Sequence, residues 1–389
     1  MRKSRILYGM ILLIEMGLLF WSGSGLLLGM LTAQFLILVL LWIALRLDTE
    51  KLKLSLRMPS ACLAGRELLL TLEIDKKVFL AAGVMEAVLA CENHMMNMKN
   101  ELPVRVIFAG KKHMVQIPFQ TDSCGQSQIQ LKQIRCYDIF GLMERDIPML
   151  DEQSMVVYPR ETALQLSLEN LLSGGWEGEQ RTLDRRGRDM SEVFELREYQ
   201  PGDDVRRIHW KLSGKMDKVL IRQASDTFRC DTYVLLDTGH MDETRNYPIT
   251  QMAAAVSVAA SVSQGLSELG ISHYTGIAAG EHLLSSPVGE SAEFQRMLNT
   301  WMTVRLAETK GKALSYFMLE QFQQHYNRLI YITNGMCPEA FFELPPELKI
   351  TAVCILEDKE EASVRQQGNC TILEIPQGEL WKTMYTIAI

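Results

Sequence analysis

The sequence predicts a multidomain protein with a transmembrane helical hairpin, then a β-sandwich, then an α/β domain built on a parallel sheet. Three observations predict this class. The first 45 of 389 residues hold only four charged side chains. Apolar and polar residues then alternate as far as residue 158, and beyond residue 230 short apolar runs alternate with helical segments. The division is 1–45 for the hairpin, 46–160 for the sandwich, 161–230 for a charged linker and 231–389 for the α/β domain.

The hairpin is predicted from two apolar runs, 6–22 and 26–45, separated by a Gly-Ser-Gly turn. At about 1.5 Å per residue, the second run spans roughly 30 Å as a helix, which is the thickness of a hydrocarbon core. A cleaved signal peptide is the alternative interpretation of the shorter first run. We favour the hairpin, because Glu15 interrupts the first run and a second span follows at once.

Lysine and arginine flank the hairpin on both sides. Arg2, Lys3 and Arg5 precede the first run, and four basic residues follow the second between Arg46 and Arg57. The positive-inside rule therefore places both flanks in the cytoplasm. We expect a protein of the cell membrane with two spans in the lipid bilayer and a cytoplasmic body.

Two polar residues lie inside the predicted spans. Glu15 and Gln34 are at similar distances from the turn, so an antiparallel hairpin places them at similar depth. An acidic side chain near the bilayer centre costs on the order of 3 kcal/mol. We expect a Glu15–Gln34 hydrogen bond to reduce this cost. Contact of Glu15 with a partner helix or with interfacial water is the alternative.

Composition and motifs exclude several classes of function. The net charge is −7, from 40 basic and 47 acidic residues, so no nucleic-acid partner is expected. None of the eight cysteines forms a C-x-x-C pair, which excludes a zinc ribbon and a thioredoxin-like site. The sequence lacks P-loop, G-x-S-x-G and H-E-x-x-H motifs, so we expect no cofactor and assign no catalytic residue.

The sandwich is predicted from a period of two. Leu68, Leu70, Leu72 and Ile74, for example, share one face of such a run. Glycine, asparagine and aspartate separate the runs. Several short strands at this spacing predict a sandwich without fixing its topology.

From residue 231 strands and helices alternate. An apolar strand at 233–236 ends at Asp237, a helix of small residues follows, and Gly270 provides its C-terminal stop. We predict further strands at 273–278, 329–333, 350–356 and 371–375, and helices at 294–306 and 314–326. This alternation predicts a parallel sheet with helices on both faces, and it places Asp237 at the carboxyl edge, where open α/β sheets carry their sites.

The charged linker contains turn residues followed by paired arginines. One interpretation is an internal clamp, in which carboxylates hold arginines and dock the linker onto the α/β domain. The other is a recognition surface for a partner. The residues concerned are Arg197, Glu198, Tyr199, Pro201, Gly202, Asp203, Asp204, Arg206, Arg207, His209 and Trp210.

This run carries a family resemblance. Residues 194–211 read FELREYQPGDDVRRIHWK and, with RGRD at 186–189, closely resemble the hallmark of a bacterial family, domain of unknown function fifty-eight. YDIFGL at 137–142 and VYP at 157–159 are similar to its second recurring element. The resemblance implies a membrane anchor, an α/β domain similar to a von Willebrand factor A domain, and a MoxR-type AAA+ ATPase as partner.

The von Willebrand factor A resemblance implies a metal site on an Asp-x-Ser-x-Ser loop. Here the loop reads DTGHM from Asp237, so Gly239 and Met241 replace both serines, and Asn334 stands where a later aspartate is expected. Because a hard cation needs oxygen ligands, we expect no tight Mg²⁺ site. A helix cap is one role for Asp237, and weak cation binding through Asp237, Thr238 and Asn334 is the alternative.

These observations predict a membrane-tethered cytoplasmic scaffold or adaptor that binds a protein partner. Asp237, Thr238 and Asn334 are candidate binding residues at the strand ends. The alternative is an enzyme of unknown reaction, with a site formed by Arg197, Asp203, Arg206, His209 and Asp237. A structural envelope component without a dedicated partner is the third interpretation.

Overall fold

The computed structural model describes residues 2–50, 52–76, 82–107, 112–148, 152–167, 194–198, 213, 220–224, 231–242, 246–358 and 361–388. Two apolar helices begin the chain, α1 (Arg2–Ser22) and α2 (Gly25–Glu50). Both are long and apolar enough to cross a membrane. Gly23, with a φ of 58°, forms the turn between them, and the side chains of Phe20 and Trp21 beside it are exposed.

The hydrogen bond predicted within the hairpin is present. Nε2 of Gln34 donates to Oε1 of Glu15 at 2.9 Å. The remaining oxygens, Oε2 of Glu15 and Oε1 of Gln34, have no hydrogen-bond partner among the described residues. One hydrogen bond thus connects the two helices at this depth.

Two sheets enclose the core of the next unit. The first has the order β1–β3–β6, with β1 (Leu52–Arg57), β3 (Leu68–Lys76) and β6 (Lys112–Phe119). The second has the order β2–β9–β7–β4–β5 with β8 on β7, and contains β2 (Ala61–Leu63), β4 (Ala82–Asn93), β5 (Met98–Ile107), β7 (Gly125–Asp138), β8 (Glu144–Ile147) and β9 (Gln153–Tyr158). Leu70 and Leu72 meet Met85 and Leu131 in the buried core, as the period of two predicts.

The hairpin packs directly on this sandwich. Leu45 of α2 is buried in the sandwich core. A guanidinium nitrogen of Arg145 in β8 donates to the Arg46 carbonyl at 3.0 Å, and Arg5 of α1 pairs with Glu144 of β8 at 2.8 Å. Both ends of the hairpin therefore lie against β8, and this packing explains why α2 continues past residue 45.

The α/β domain is built on a sheet with the order β15–β14–β13–β16–β17–β19–β18. Its strands are β13 (Thr232–Asp237), β14 (His273–Ala279), β15 (His282–Val288), β16 (Arg328–Asn334), β17 (Lys349–Leu356), β18 (Ser363–Gln367) and β19 (Cys370–Pro376). The inner strands pair in parallel, whereas β15 and β18 pair antiparallel at the two edges. The predicted parallel strands are all present, and the edge strands are additional to them.

Helices cover both faces of this sheet. α3 (Ile249–Glu268) and α4 (Ser291–Thr303) share one core with Val234 and Leu236, and α5 (Lys312–Leu319) shares the other with Tyr233 and Leu235. Gly270 has a φ of 71°, which is consistent with the predicted stop after α3.

The predicted helix at 314–326 is wrong at its C-terminal end. The helix, α5, ends at Leu319. Gln321 has a φ of 57°, which lies outside the right-handed helical region. A 3₁₀ turn at Phe322–Gln324 follows instead.

Two strand pairs involve the segment assigned to the linker. β10 (Leu164–Ser167) pairs in parallel with β20 (Tyr385–Ala388), and Leu166 packs against the core around α3. β11 (Phe194–Glu198) pairs antiparallel with β12 (Leu220–Ala224). The assigned linker thus begins with a strand that belongs to the α/β domain.

Candidate functional site at the carboxyl edge of the sheet

Asp237, the last residue of β13, is buried at the carboxyl edge of the sheet. Its Oδ1 accepts the N–H groups of Gly311 at 3.0 Å and Ala313 at 3.2 Å, and its Oδ2 accepts the Tyr331 hydroxyl at 2.8 Å. Burial raises the pKa of Asp237, and these hydrogen bonds oppose the increase. The helix-cap interpretation accounts for the backbone contacts, since Gly311 and Ala313 lie at the N-terminus of α5.

Asn334, at the end of β16, closes the loop after Asp237. Its Oδ1 accepts the Gly239 N–H at 3.1 Å, and its Nδ2 donates to the Gly239 carbonyl at 2.9 Å. A Cβ atom at Gly239 would lie 2.2 Å from the backbone nitrogen of Lys310, a distance that no side chain tolerates. Packing therefore requires glycine where the Asp-x-Ser-x-Ser pattern has its first serine.

A buried lysine, which sequence analysis missed, lies at this edge. Nζ of Lys310 donates to the Met336 carbonyl and, at 3.4 Å, to the Tyr247 hydroxyl, and lies 4.9 Å from the Tyr247 ring centroid. Burial lowers the pKa of Lys310, and nearby acidic groups that include Asp242 and Asp237 oppose the decrease. Among 40 basic residues, no motif distinguishes Lys310.

These residues do not fit the divalent cation that the von Willebrand factor A resemblance implies. The oxygens of Asp237 bind the α5 amides and Tyr331, and both polar side-chain atoms of Asn334 bind Gly239. Thr238 is buried, and its Oγ1 has no hydrogen-bond partner within the described part of the chain. A divalent ion would have to displace these contacts beside the positive charge of Lys310.

The structure describes residues 194–198 of the signature run, and two of the predicted site residues are among them. Arg197 and Glu198 lie in β11, opposite Ile221 and Leu220 of β12. The remaining predicted residues lie outside the described ranges; they are Tyr199, Pro201, Gly202, Asp203, Asp204, Arg206, Arg207, His209 and Trp210. The clamp, recognition-surface and enzyme interpretations of this run therefore stay predictions.

The loop after Asp237 also contacts the sandwich. Nε2 of His240 lies 2.8 Å from the Met96 carbonyl oxygen, and the N–H of Leu306 donates to the Met95 carbonyl at 3.0 Å. Met95 and Met96, in the turn between β4 and β5, are buried in the same core as α3. The sandwich thus supports the loop that carries the candidate site, a contact that no sequence motif marks.

The middle of the chain matches the model of a known protein family. The model described as "Protein of unknown function DUF58" matches residues 195–328. This range contains all of the signature run except Phe194, and it also contains Asp237. This match confirms the resemblance to the family that the sequence shows.

Comparison with individual proteins adds no functional argument. No curated protein matches the chain. A cohesin module of a family 33 glycoside hydrolase from Clostridium perfringens ATCC13124 is 7% identical, with a TM-score of 0.21 over 27% of this chain and 96% of that one. A cycloisomaltooligosaccharide glucanotransferase from Paenibacillus sp., solved with cycloisomaltoheptaose, is 9% identical, with a TM-score of 0.17 over 79% of this chain and 45% of that one.

Proposed function

We propose that this protein is a membrane-tethered adaptor whose α/β domain binds a protein partner at the carboxyl edge of its sheet. The observation that carries the proposal is a set of exposed apolar side chains at this edge. Met241 and Met336 are 46% and 59% exposed, in the loops that follow β13 and β16 directly. Exposed methionine and aromatic side chains are typical of protein-binding surfaces, because thioether chains adapt to the partner.

The polar groups beneath this surface favour binding over catalysis. The Asp237 oxygens and the Asn334 amide are engaged within the protein. A catalytic group must instead present a free lone pair or proton to a substrate. In the proposal, Asp237 and Asn334 shape the loops, and the exposed apolar side chains contact the partner.

The hairpin supplies the tether. Both of its ends contact β8 of the sandwich, and the sandwich contacts the α/β domain through Met95 and Met96. This continuous packing supports a body held close to the bilayer, and the basic flanking residues favour the cytoplasmic side. Confinement near a membrane raises the effective concentration of a partner that is confined there as well.

The partner is proposed to be a MoxR-type AAA+ ATPase encoded separately. The support for this class is the resemblance of the signature run. The exposed apolar edge supports a protein partner of any class. The predicted residues of the signature run, from Arg197 to Trp210, are proposed either to clamp the linker onto the α/β domain or to extend the binding surface.

Affinity purification tests this proposal. The tagged full chain is extracted from native membranes in mild detergent, and copurifying proteins are identified by mass spectrometry. Met241→Asp and Met336→Asp place charge on the proposed surface. Val364→Asp is the matched control, because Val364 is 70% exposed on the edge strand β18.

We expect a stoichiometric AAA+ ATPase with the wild type and the Val364→Asp variant, reduced at least tenfold by Met241→Asp or Met336→Asp. Equal recovery with all variants would contradict the proposed surface. Recovery of no specific protein with the folded wild type would contradict the adaptor proposal itself.

A further inference from the structure

Two cysteines form a close thiol pair at the carboxyl edge of the sheet. Sγ of Cys337 lies 3.3 Å from Sγ of Cys354. Cys354 is buried in β17, whereas Cys337 is partly exposed in the loop after β16. We propose that Cys337 and Cys354 are a redox modification site, which forms a reversible disulfide on reaction with a hydroperoxide. This inference does not depend on the adaptor proposal.

The backbone holds Cys337 over Cys354 from both sides. Gly335 has a φ of 77°, and its N–H donates to the Ile355 carbonyl at 2.7 Å, which turns the chain back toward β17. Pro338 then precedes a 3₁₀ turn at Glu339–Glu343. Because bonded sulfurs are about 2.05 Å apart, disulfide formation requires an approach of about 1.3 Å, which a short loop accommodates.

The surroundings determine how the pair reacts. The contact with Cys354 and burial raise the pKa of the Cys337 thiol, and the charge of Lys310 opposes the increase. The protonated thiol is therefore favoured, and the pair reacts through the thiolate fraction of Cys337, which the charge of Lys310 stabilises.

Formation of one disulfide consumes one hydroperoxide molecule. The Cys337 thiolate attacks the peroxide, the O–O bond breaks, and the leaving alkoxide or hydroxide takes a proton to become an alcohol or water. The Cys337 sulfenic acid that results is attacked by the Cys354 sulfur, so the S–S bond forms and the S–O bond breaks. The departing hydroxide takes the proton of Cys354 and leaves as water.

The neighbouring cysteine provides a matched control. Cys370 is buried in β19, but it lies opposite Ile350 of β17 rather than opposite Cys354. The register thus favours a bridge from Cys354 to Cys337 over one to Cys370.

Peptide mapping of the full chain tests the proposal. Reduced protein in detergent is treated with hydrogen peroxide and then unfolded in guanidinium chloride, so that the buried Cys354 is accessible. Its free thiols are blocked with N-ethylmaleimide, and it is digested with trypsin without reduction. Lys349 lies between Cys337 and Cys354, so trypsin places them on separate peptides that only a disulfide joins. Near-ultraviolet circular dichroism before unfolding verifies that the fold is intact during oxidation.

We expect the linked peptides in the wild type and in Cys370→Ser, with maleimide labelling of Cys337 and Cys354 reduced at least tenfold and restored by dithiothreitol. Cys337→Ser should abolish the link and leave Cys354 fully labelled. A link to another cysteine, sulfinic acid at Cys337 with Cys354 still free, or unchanged labelling would each overturn the proposal.

Discussion

Two acidic side chains lie in apolar segments in different parts of the molecule, and their hydrogen-bond partners differ. Asp237 in the α/β domain accepts two backbone N–H groups and the hydroxyl of Tyr331. Glu15 in the hairpin accepts one hydrogen bond, from Gln34, and its second oxygen has no partner among the described residues.

The contrast shows how strongly each site depends on the fold. Backbone donors at the start of α5 are fixed in place, so the Asp237 site is preorganised once the sheet forms. Gln34 is a side-chain donor, and helices separated in a bilayer find other polar partners. We therefore expect Asp237 to contribute far more to stability than the Glu15–Gln34 pair.

The largest expected effect is that of Asp237→Ala. The substitution leaves two amide donors and a buried hydroxyl without their acceptor, and we expect a loss of about 4 kcal/mol in the free energy of unfolding. Hydrogen exchange at the amides of β13 and β16 in the detergent-solubilised full chain measures this loss for the α/β domain.

Two further variants separate the contribution of the amide contacts from that of the tyrosine contact. Asp237→Asn keeps an acceptor for the amides, and Tyr331→Phe removes a single hydrogen bond, so each should destabilise the domain by about 1 kcal/mol. If Asp237→Ala cost no more than Tyr331→Phe, the capping contacts would not stabilise the domain and the contrast with Glu15 would fail.

The inner sheet could be predicted from the sequence because its strands are buried on both sides. β16, for example, which contains Tyr331, has a continuous apolar run at its centre. The edge strands β15 and β18 were not predicted. β15 contains Pro287, and β18, with the sequence SVRQQ, has no alternation of apolar and polar residues. The end of α5 at Leu319 could not be predicted either, because no glycine or proline follows Leu319 in the sequence until Gly335.

At the candidate site, sequence position predicted part of the arrangement. A residue at the C-terminal end of a parallel strand lies at the carboxyl edge of the sheet. This rule predicts that Asp237 and Asn334 lie at the same edge. Lys310 and Cys337 reach the same edge through loops whose path depends on tertiary contacts. The close approach of Gly239 to Lys310 likewise depends on two segments that are distant in sequence.

A buried histidine extends the comparison to a basic group. Nε2 of His273 lies 2.7 Å from Oγ of Ser263, and Nδ1 lies 3.0 Å from the Ile271 carbonyl oxygen. Burial lowers the pKa of His273 to about 4. Between this value and about 6.5 the unfolded chain binds the proton and the folded chain does not, so acidification destabilises the folded state.

We expect His273 to account for a loss of up to about 3 kcal/mol as the pH falls from 7 to 4. Thermal unfolding of the wild type and of His273→Gln across this range isolates the effect, because other titrating groups are common to both proteins. The wild type should lose more stability than His273→Gln over this interval, and parallel pH profiles would contradict the assignment.

The smallest expected effect is that of the Glu15–Gln34 pair. A double-mutant cycle of Glu15→Leu and Gln34→Leu should give a coupling energy of about 1 kcal/mol, as for other interhelical hydrogen bonds in membranes. Helix separation at rising dodecyl sulfate fractions, followed by energy transfer across the hairpin, provides the stabilities. Thr32→Val is the matched control, since Thr32 donates to the Gly29 carbonyl within its own helix. Equal coupling of Glu15→Leu to Gln34→Leu and to Thr32→Val would mean that the interhelical hydrogen bond adds no specific stability, and that packing alone holds the two spans together.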